Sequence, residues 1–438
     1  MRNIALVAVA ICLASGMQSV AADKLLSSPL LPREERLSGS LNLQIARDGD
    51  RATLTFPDGL ESADLVTGPW TMVSNAASPL SVDFRNNSKF YRSLETAQTG
   101  SVFSSREIVS WTLTGPFQKH FDLAYAGTPD GIFPPHRETT YFDATVKMGT
   151  FQLPATVRVR GNSSLQECPF PKLKLKVSKE NRVGTPFSDA REIKIGTHCA
   201  EGGRGNIGRL RDERAAYRET LAYETMGLLG FMTPRVRRAQ IQYNDTTLTN
   251  ESPIVGWQVL RNGMILEDIE VLAERLGGSA LSDVEVSALK DANFGEQLID
   301  DLQLFHLLLG NWDYELSVDG QGLWNTDVIR LADGKLVPLA GDFDLASWVT
   351  EEVRLSAPRD YRPDLGEVER QAQYEMEQFR SRAAAENFLT SSNRFAAKRP
   401  AIELLVKNAS IDEAGRTNAL RHLAAFFDAL TSAKPPKP

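Results

Sequence analysis

Apolar and polar residues alternate at a period of two through much of the first half of the chain, a pattern typical of half-buried β-strands. Between residues 40 and 97, alternating runs such as 41–45 and 52–56 are separated by turn signals, among them Pro57-Asp58-Gly59. Residues 40–97 are therefore predicted to form a small all-β module.

A longer series of elements is predicted beyond a polar link that ends at Arg106. Alternating runs predict strands at 144–147, 155–160, 171–177, 192–197 and 239–243, and the segment 254–260 follows them. Apolar residues at helical spacing predict helices at 210–229, 268–276, 294–309 and 412–431. A hairpin that turns at Asp333-Gly334 lies before the last helices. Strands first and helices afterwards is the order of a two-lobed α+β domain, which we place at residues 106–433.

The two ends of the chain differ from the rest. Residues 1–22 carry Arg2, an apolar stretch from Ile4 to Ala14, and small residues up to Ala22, which is typical of a signal peptide. The stretch is too short to cross a bilayer, so we expect cleavage after Ala22, with Ala21 as the alternative. The protein is thus expected to be exported, to the periplasm or the cell surface, with no membrane span. The Pro-rich tail, 434–438, is expected to be disordered.

Composition adds two restrictions. The 438 residues are 42% hydrophobic and 24% charged, as in an ordinary globular protein long enough for two domains. The net charge of −7 argues against a nucleic-acid partner, because such proteins normally carry a basic surface. Without the signal peptide two cysteines remain, Cys168 and Cys199. In an oxidising compartment they are a candidate disulfide, and two buried free thiols are the alternative.

The residues that best indicate chemistry are Gly310-Asn311-Trp312-Asp313, Asn325 and Gly341-Asp342-Phe343-Asp344. A helix end delivers an Asp into a loop, an Asn follows, and a strand end delivers two acids. Phosphoryl transfer uses these residue types in this order, since one carboxylate orients the attacking hydroxyl while an amide oxygen and a carboxylate hold Mg²⁺. Ordinary loop caps and turn residues are the alternative interpretation.

Four nearby features have competing interpretations. The lysines of strand 171–177 share one face, which is either an anion-binding face or a solvated strand face. Gly203 to Gly208 spells GxGxxG between a strand and a helix, the setting of a dinucleotide fingerprint. An exported protein rarely has access to NAD, so a flexible loop facing phosphates is preferred. His306 is interpreted as a core or loop-bracing residue, with a general base as the alternative. Trp312 and Trp324 are interpreted as packing residues, with stacking platforms as the alternative.

Taken together, these motifs resemble the CotH-type atypical kinases. That family carries an RGNSS segment, a lysine-bearing strand, a GNWD catalytic loop and a DFD metal motif. The corresponding segments are Arg160–Ser164, strand 171–177, Gly310–Asp313 and Asp342–Asp344, within about residues 140 to 360. An exported bacterial branch of the family is most similar, with Cys168-Pro169-Phe170-Pro171 and Thr197-His198-Cys199 as its marks. Cysteines are frequent at both places in the family, which favours the disulfide.

The resemblance implies a role for each residue of the set. Asp313 would be the catalytic Asp. Asn325 and Asp342 would hold Mg²⁺ or Mn²⁺, with Asp344 as an additional or alternative ligand. Tyr314 is a departure, because many members have Arg-His after the catalytic Asp.

The nucleotide side of the site is implied in the same way. Lys174, central on its strand, would contact the phosphates of ATP, with Lys172 beside it. Its helix partner would be Glu224, and Glu219 is the second choice. Further contacts are expected from the glycine loop and from the segment 257–268 on the adenine side, namely Gly203, Gly205 and Glu267.

The implied function is a metal-dependent protein kinase that moves phosphate from ATP to a protein hydroxyl at the cell surface or in the periplasm. A structural envelope protein that keeps a kinase-like fold without catalysis is the main alternative, and nucleotide binding as a switch is a second. Residues 40–97 resemble a small β-sandwich module of exported bacterial proteins, through Gly68-Pro69-Trp70 and Phe90-Tyr91-Arg92. Such modules usually space or bind.

Overall fold

A computed structural model describes residues 101–126, 140–161, 170–196, 214–247, 257–317 and 323–432, together with six strands between 44 and 94. The expected signal peptide, the tail 434–438, both candidate disulfide cysteines and the GxGxxG loop lie outside the described residues. The chain divides into two units, Met1–Gly100 and Ser101–Pro438. In the described part, no helix combines the length and the apolar character needed to cross a membrane.

The first unit is built from two antiparallel sheets of three strands. The strands are β1 (Gln44–Asp48), β2 (Arg51–Thr55), β3 (Gly59–Ala63), β4 (Thr71–Met72), β5 (Leu80–Asp83) and β6 (Phe90–Leu94). They pair in the orders β1-β2-β5 and β4-β3-β6. The alternating pattern at 52–56 therefore marks a strand, and of the run 41–45 the structure describes residues 44 and 45, which begin β1.

The second unit begins with a closed barrel of seven strands. These are β7 (Val109–Gly115), β8 (Phe142–Met148), β9 (Phe151–Arg160), β10 (Lys172–Lys176), β11 (Glu192–Gly196), β12 (Val236–Asp245) and β13 (Gln258–Glu267). Their order around the barrel is β10-β11-β13-β12-β7-β8-β9. All the neighbouring pairs are antiparallel except β7 with β12, which is parallel. β7 was not predicted from the sequence, although it is the strand that closes the barrel between β12 and β8.

The remaining elements are mainly helical. The helices are α1 (Phe117–Ala126), α2 (Lys179–Arg182), α3 (Ala215–Leu228), α4 (Ile269–Arg275), α5 (Asp283–Ser287), α6 (Glu296–Leu309), α7 (Ser347–Thr350), α8 (Glu367–Arg382), α9 (Ala385–Asn408) and α10 (Glu413–Ser432). A small sheet contains β14 (Ser279–Ala280), β15 (Thr326–Arg330) and β16 (Leu336–Ala340). The helices predicted at 210–229, 294–309 and 412–431 are confirmed to within a few residues, as is the hairpin at Asp333-Gly334.

Two large hydrophobic cores support this arrangement in the described residues, and a small third one lies between α4 and the sheet β14–β16. The barrel interior is filled by inward-facing strand residues such as Trp111, Leu173 and Tyr243. A second core joins α3, α6, α9 and α10. Helix α3 packs against β12 and β13 as well as against α9, so it connects the barrel to the helices. The fold is thus α+β, as the order of the predicted elements indicates.

A buried ion pair fixes α3 to the C-terminal helices. The Arg218 guanidinium, 2% exposed, donates through Nε and Nη2 to the two carboxylate oxygens of Asp412, each at 2.9 Å. A third nitrogen, Nη1, donates to the carbonyl of Val349 at 3.0 Å. Bidentate pairs of this kind are strong and directional, so they hold the start of α10 and the end of α7 against α3.

Candidate active site

The hairpin β15–β16 places two of the predicted site residues side by side. β15 begins directly after Asn325, and β16 ends directly before Gly341, whose N–H donates to the Asn325 carbonyl at 2.9 Å. Asn325 and Asp342 both have a left-handed backbone, with φ of 51° and 53°. Such a conformation is uncommon outside glycine, and Asn and Asp adopt it more readily than most residues. The hairpin therefore delivers both side chains at one edge.

The turn that carries Asp342 is anchored to two helices. The N–H of Asp342 donates to the Tyr223 hydroxyl of α3 at 3.0 Å. Phe343 is fully buried, with its ring 4.8 Å from that of Tyr223 and 5.6 Å from that of Phe305 on α6. The alternating polarity of Asp342-Phe343-Asp344 thus buries the middle residue and leaves the two carboxylates on the other side.

Lys172 of β10 reaches both carboxylates. Its Nζ lies 2.7 Å from Oδ1 of Asp342 and 3.0 Å from Oδ2 of Asp344. The lysine side chain is 7% exposed, whereas Asp342 is about half exposed. Hydrogen bonds between two charged groups are among the strong ones, and the buried lysine shields its end of the pair from water. A single cation therefore bridges the two acids of the turn.

Mutual charge interactions change the protonation of this group. Burial raises the pKa of Asp344, and the neighbouring Asp342 raises it further while Lys172 opposes them. Burial would also raise the pKa of Asp342, but Lys172, Arg160 and Lys194 together lower that pKa. Burial would lower the pKa of Lys172, and the nearby carboxylates of Asp342, Asp344 and Glu219 raise it instead. Lys172 is therefore a permanent cation at this site.

Glu219 of α3 is the helix acid whose charge raises the pKa of this lysine. It is 5% exposed. Burial raises its pKa, and Lys172 is the largest interaction that opposes this rise. Among the two acids named from the sequence, the second choice is therefore the one that shares the surroundings of Lys172.

Asp313 lies in the loop after α6, and its carboxylate is held from the next segment of chain. Asn325 Nδ2 donates to Asp313 Oδ2 at 2.9 Å and to the Asp313 carbonyl at 2.8 Å. The indole N–H of Trp324 donates to Asp313 Oδ1 at 3.1 Å. Asp313, Asn325 and Asp342 are thus brought together, because Asn325 contacts both of the segments that carry the acids.

A chain of hydrogen bonds from Asn311 to His306 also supports the loop that carries Asp313. The N–H of Asp313 donates to Asn311 Oδ1 at 3.2 Å, and Asn311 Nδ2 lies 2.9 Å from Nδ1 of His306. Burial lowers the pKa of His306 to about 3, so the ring is neutral and its Nδ1 accepts from the amide. The Tyr314 ring stacks on His306 at 3.7 Å. The interpretation of His306 as a bracing residue is confirmed.

The loop is also tied to the segment that follows Asp344. Gly310 has a φ of 59° and ends α6. Its carbonyl accepts hydrogen bonds from the N–H and the Oγ of Ser347, both at 3.1 Å. Arg354 lies over the Trp312 ring, 3.9 Å from its centroid. The two segments that carry the acidic residues therefore hold each other in place.

Two residues expected at the site have other partners. Lys174 Nζ lies 2.7 Å from Oε2 of Glu192 and 2.9 Å from Oδ2 of Asp268. Lys174 is two positions further along β10 than Lys172, the residue that contacts the Asp342 turn. Glu224 forms a two-point pair with Arg238, at 2.8 and 3.1 Å. The structure does not bring either residue to Asp342 or Asp344.

Geometry gives the reason for both differences. Lys172 and Lys174 share a strand face, but only the first lies level with the Asp342 turn. Glu219 and Glu224 are five positions apart on α3, which corresponds to about 140° around the helix axis. Glu224 therefore faces Arg238 of β12, and Glu219 lies on a different side of the helix.

The carboxylate of Glu267 is paired with two arginines. Its oxygens accept from Arg235 Nε at 3.0 Å and from Arg275 Nη2 at 2.8 Å, and it is 1% exposed. The segment 257–268 is largely β13 itself, and Trp257 at its start packs into the barrel core. The carboxylate of Glu267 is thus committed to a structural pair. Gly203 and Gly205 lie outside the described residues.

The donor set fits a divalent cation that is shared with phosphates. In the described ranges, no group of three or more His, Cys, Asp or Glu residues is arranged to hold a metal ion. Mg²⁺ is typically bound by one or two carboxylates, with waters and substrate phosphates completing the octahedron. Asp342 and Asp344 supply two carboxylates that one ammonium group already bridges, and Asn325 adds an amide oxygen.

Trp324 is the site residue whose role was not expected. The sequence placed it beside the set as a packing residue, but its ring is 56% exposed. It directly precedes Asn325, which is the signal that could have indicated contact with Asp313. The lysine face of β10 likewise differs from a solvated face, because Lys172 and Lys174 are both in ion pairs.

The comparisons with known proteins found similarity among solved structures. No family model and no curated protein match the chain. Among solved structures, a Helicobacter pylori proinflammatory kinase, CtkA, is similar with 10% identity and a TM-score of 0.33, covering 60% of this chain and 94% of that one. The structure of hydra Fam20 with sugar is similar with 12% identity and a TM-score of 0.28, covering 75% of this chain and 86% of that one. Both scores are low, so these likenesses decide neither fold nor function.

Proposed function

We propose that this protein is a metal-dependent phosphotransferase that moves the terminal phosphate of ATP to a protein hydroxyl. The observation that carries the proposal is the position of Lys172 between Asp342 and Asp344, next to the Asn325–Asp313 pair. Phosphoryl transfer requires a cation for the phosphates, oxygen ligands for a metal and a carboxylate for the acceptor, and little other chemistry. All three lie within one continuous set of contacts.

Each side chain has a separate part in this reaction. Asp313 orients the acceptor hydroxyl and receives its proton as the hydroxyl oxygen bonds to the γ-phosphorus and the bond to the β,γ-bridging oxygen breaks. Lys172 contacts the phosphates, and the charge of Glu219 helps to keep it protonated. Asp342, Asp344 and Asn325 would hold Mg²⁺ or Mn²⁺, which neutralises charge on the phosphates.

The wider proposal follows the CotH-type resemblance. The barrel and the helices would act as the two lobes of a kinase-like domain, with ATP between them and the all-β module as a spacer or binding unit. The signal peptide would place the protein in the periplasm or at the cell surface, where a protein substrate is expected. In that compartment a disulfide between Cys168 and Cys199 is expected.

Thermal unfolding of the mature protein with Mg²⁺ or Mn²⁺, with and without ATP, tests the proposal. ATP at about 100 times its Kd should add about 2.7 kcal/mol to the free energy of unfolding, which raises Tm by several degrees. We expect Asp342→Asn to lose this shift. Asp333→Asn, at the turn of the same hairpin, should keep it because Asn also caps such turns.

Phosphate transfer from labelled ATP completes the test. Asp313→Asn should keep the thermal shift and lose transfer, since it contacts the acceptor and not the nucleotide. If neither metal gives an ATP-dependent shift, the structural envelope protein becomes the better interpretation. If Asp313→Asn and Asp342→Asn both transfer phosphate like the wild type, the assigned site is wrong.

A further inference from the structure

Trp324 combines two properties that are rarely found together. Its ring is 56% exposed, yet its indole N–H is committed to Oδ1 of Asp313 at 3.1 Å. Large aromatic side chains normally contribute to stability through burial, and a surface tryptophan gives up much of that gain. The position of this ring is therefore not explained by packing.

The backbone of Trp324 is held in place despite the exposed ring. It forms an isolated antiparallel bridge with Glu315, in which each N–H donates to the other carbonyl at 3.1 Å. Glu315 itself accepts from the N–H groups of Leu316 and Ser317, at 3.0 and 2.9 Å. The indole N–H consequently points at Asp313 from a fixed base.

The bond from Trp324 complements the one from Asn325. A carboxylate rotates easily about its last torsion angle, whose preferences are broad. Trp324 donates to Oδ1 and Asn325 donates to Oδ2, so both oxygens are restrained and the plane of the carboxylate is set. Each carboxylate oxygen has two acceptor sites, which leaves capacity for the hydrogen of an acceptor hydroxyl.

We infer that Trp324 is a positioning residue, whose indole N–H fixes the Asp313 carboxylate in the orientation that receives the acceptor proton. The inference rests on the proposed phosphotransferase function and adds a residue to it. Small misplacements of a reacting group cost up to about a hundredfold in rate. Loss of the N–H should therefore lower kcat about tenfold to a hundredfold and leave the KM for ATP unchanged.

Trp324→Phe removes the N–H and keeps an aromatic ring, and it is the variant to measure first. The readout is phosphate incorporated from Mg²⁺-ATP into the chain itself and into dephosphorylated casein. Leu389→Ala on α9 is the matched control, because Leu389 is also 56% exposed. We expect the control to keep wild-type kcat. The ATP-dependent thermal shift should be the same in both variants and in the wild type.

A second readout does not depend on activity. In a ¹H–¹⁵N spectrum of the indole groups, the Trp324 signal is the one missing in Trp324→Phe. We expect Asp313→Ala to move this signal and Leu389→Ala to leave it in place. An unmoved signal would show that the hydrogen bond does not form, and the inference would be overturned.

The kinetic outcomes separate the inference from the function beneath it. Equal kcat in Trp324→Phe and an active wild type overturn the inference and leave the proposed function standing. A higher kcat in Trp324→Phe also overturns it, since Trp324 would then restrain Asp313 in an inactive orientation. A wild-type protein without any transfer overturns the proposed function, and the inference with it.

Discussion

Nζ of Lys172 lies 2.7 Å from Oδ1 of Asp342, although 170 positions separate the two residues in the sequence. The bond joins a barrel strand to the turn after β16. The same ammonium group also binds Asp344, so two acids of the turn contact one cation. Most of the candidate site follows from this contact, because the turn also carries the link to Asn325 and hence to Asp313.

Lys172→Arg tests which of the two lysines predicted from the sequence, Lys172 or Lys174, contacts the phosphates. Arg keeps a cation beside Asp342 and Asp344, so the penalty of about 3–5 kcal/mol for an unpaired buried charge is avoided. Its planar fork does not reproduce the point charge of an ammonium group. We expect phosphate transfer to fall about a hundredfold or more, in the range found when one electrostatic contact to the reacting group is lost.

Lys174→Arg is the matched control for that experiment. Lys174 is on the same strand face and is also paired with two acids, Glu192 and Asp268. We expect it to retain most of the wild-type transfer rate, measured with labelled ATP. If Lys174→Arg loses activity and Lys172→Arg keeps it, the assignment from the sequence is right and the one proposed from the structure is not.

Gly310→Ala should destabilise the protein more than an ordinary glycine substitution. A methyl group on Gly310 would lie 2.8 Å from Oγ and 2.9 Å from Cβ of Ser347, a buried residue that cannot move away cheaply. The left-handed backbone adds about 1 kcal/mol, and the overlap adds about 1–3 kcal/mol. Chemical denaturation measures the difference in the free energy of unfolding.

Gly334→Ala provides the comparison. Gly334 also has a positive φ, 85°, but no atom lies within 4 Å of an added methyl group. We expect it to cost about 1 kcal/mol, from the backbone alone. Equal costs for the two variants would contradict the close packing of Gly310 against Ser347.

Buried His306 should make stability depend on pH. Burial lowers its pKa to about 3 in the folded protein, whereas in the unfolded chain it titrates near 6.5. Below about pH 6.5 the unfolded chain therefore binds a proton that the folded protein does not bind. Stability is complete above that pH and falls as pH decreases, by up to about 1.4 kcal/mol per pH unit from this residue.

His306→Gln tests that contribution. The Gln side chain can still accept from Asn311 but does not titrate, so other acid-sensitive groups are the same in the two proteins. We expect the free energy of unfolding, measured by urea denaturation between pH 7 and 5, to fall less in the variant than in the wild type. Parallel curves would indicate that His306 is not buried in its neutral form.

The order of motifs and the periodicity of the chain were enough to predict much of the molecule. The helix that ends at Leu309, the hairpin at Asp333-Gly334 and the cluster of Asp313, Asn325 and Asp342 were all expected, because each depends on local pattern and chain order. The strand β7 was missed, although residues 109–113 alternate and Gly115-Pro116 is a turn signal directly after them. Its place in the barrel depends on parallel pairing with β12, more than a hundred residues away in the sequence.

The sequence by itself determined which residue types meet, and only the tertiary structure decided which members of each type do so. A period of two puts Lys172 and Lys174 on one face, and a helix can present Glu219 or Glu224, but neither pattern says which one lies level with the Asp342 turn. That choice depends on how β10 and α3 pack against the hairpin. The bond from Trp324 to Asp313 was likewise decided by the tertiary structure, because the backbone bridge between Glu315 and Trp324 holds the indole N–H toward Asp313.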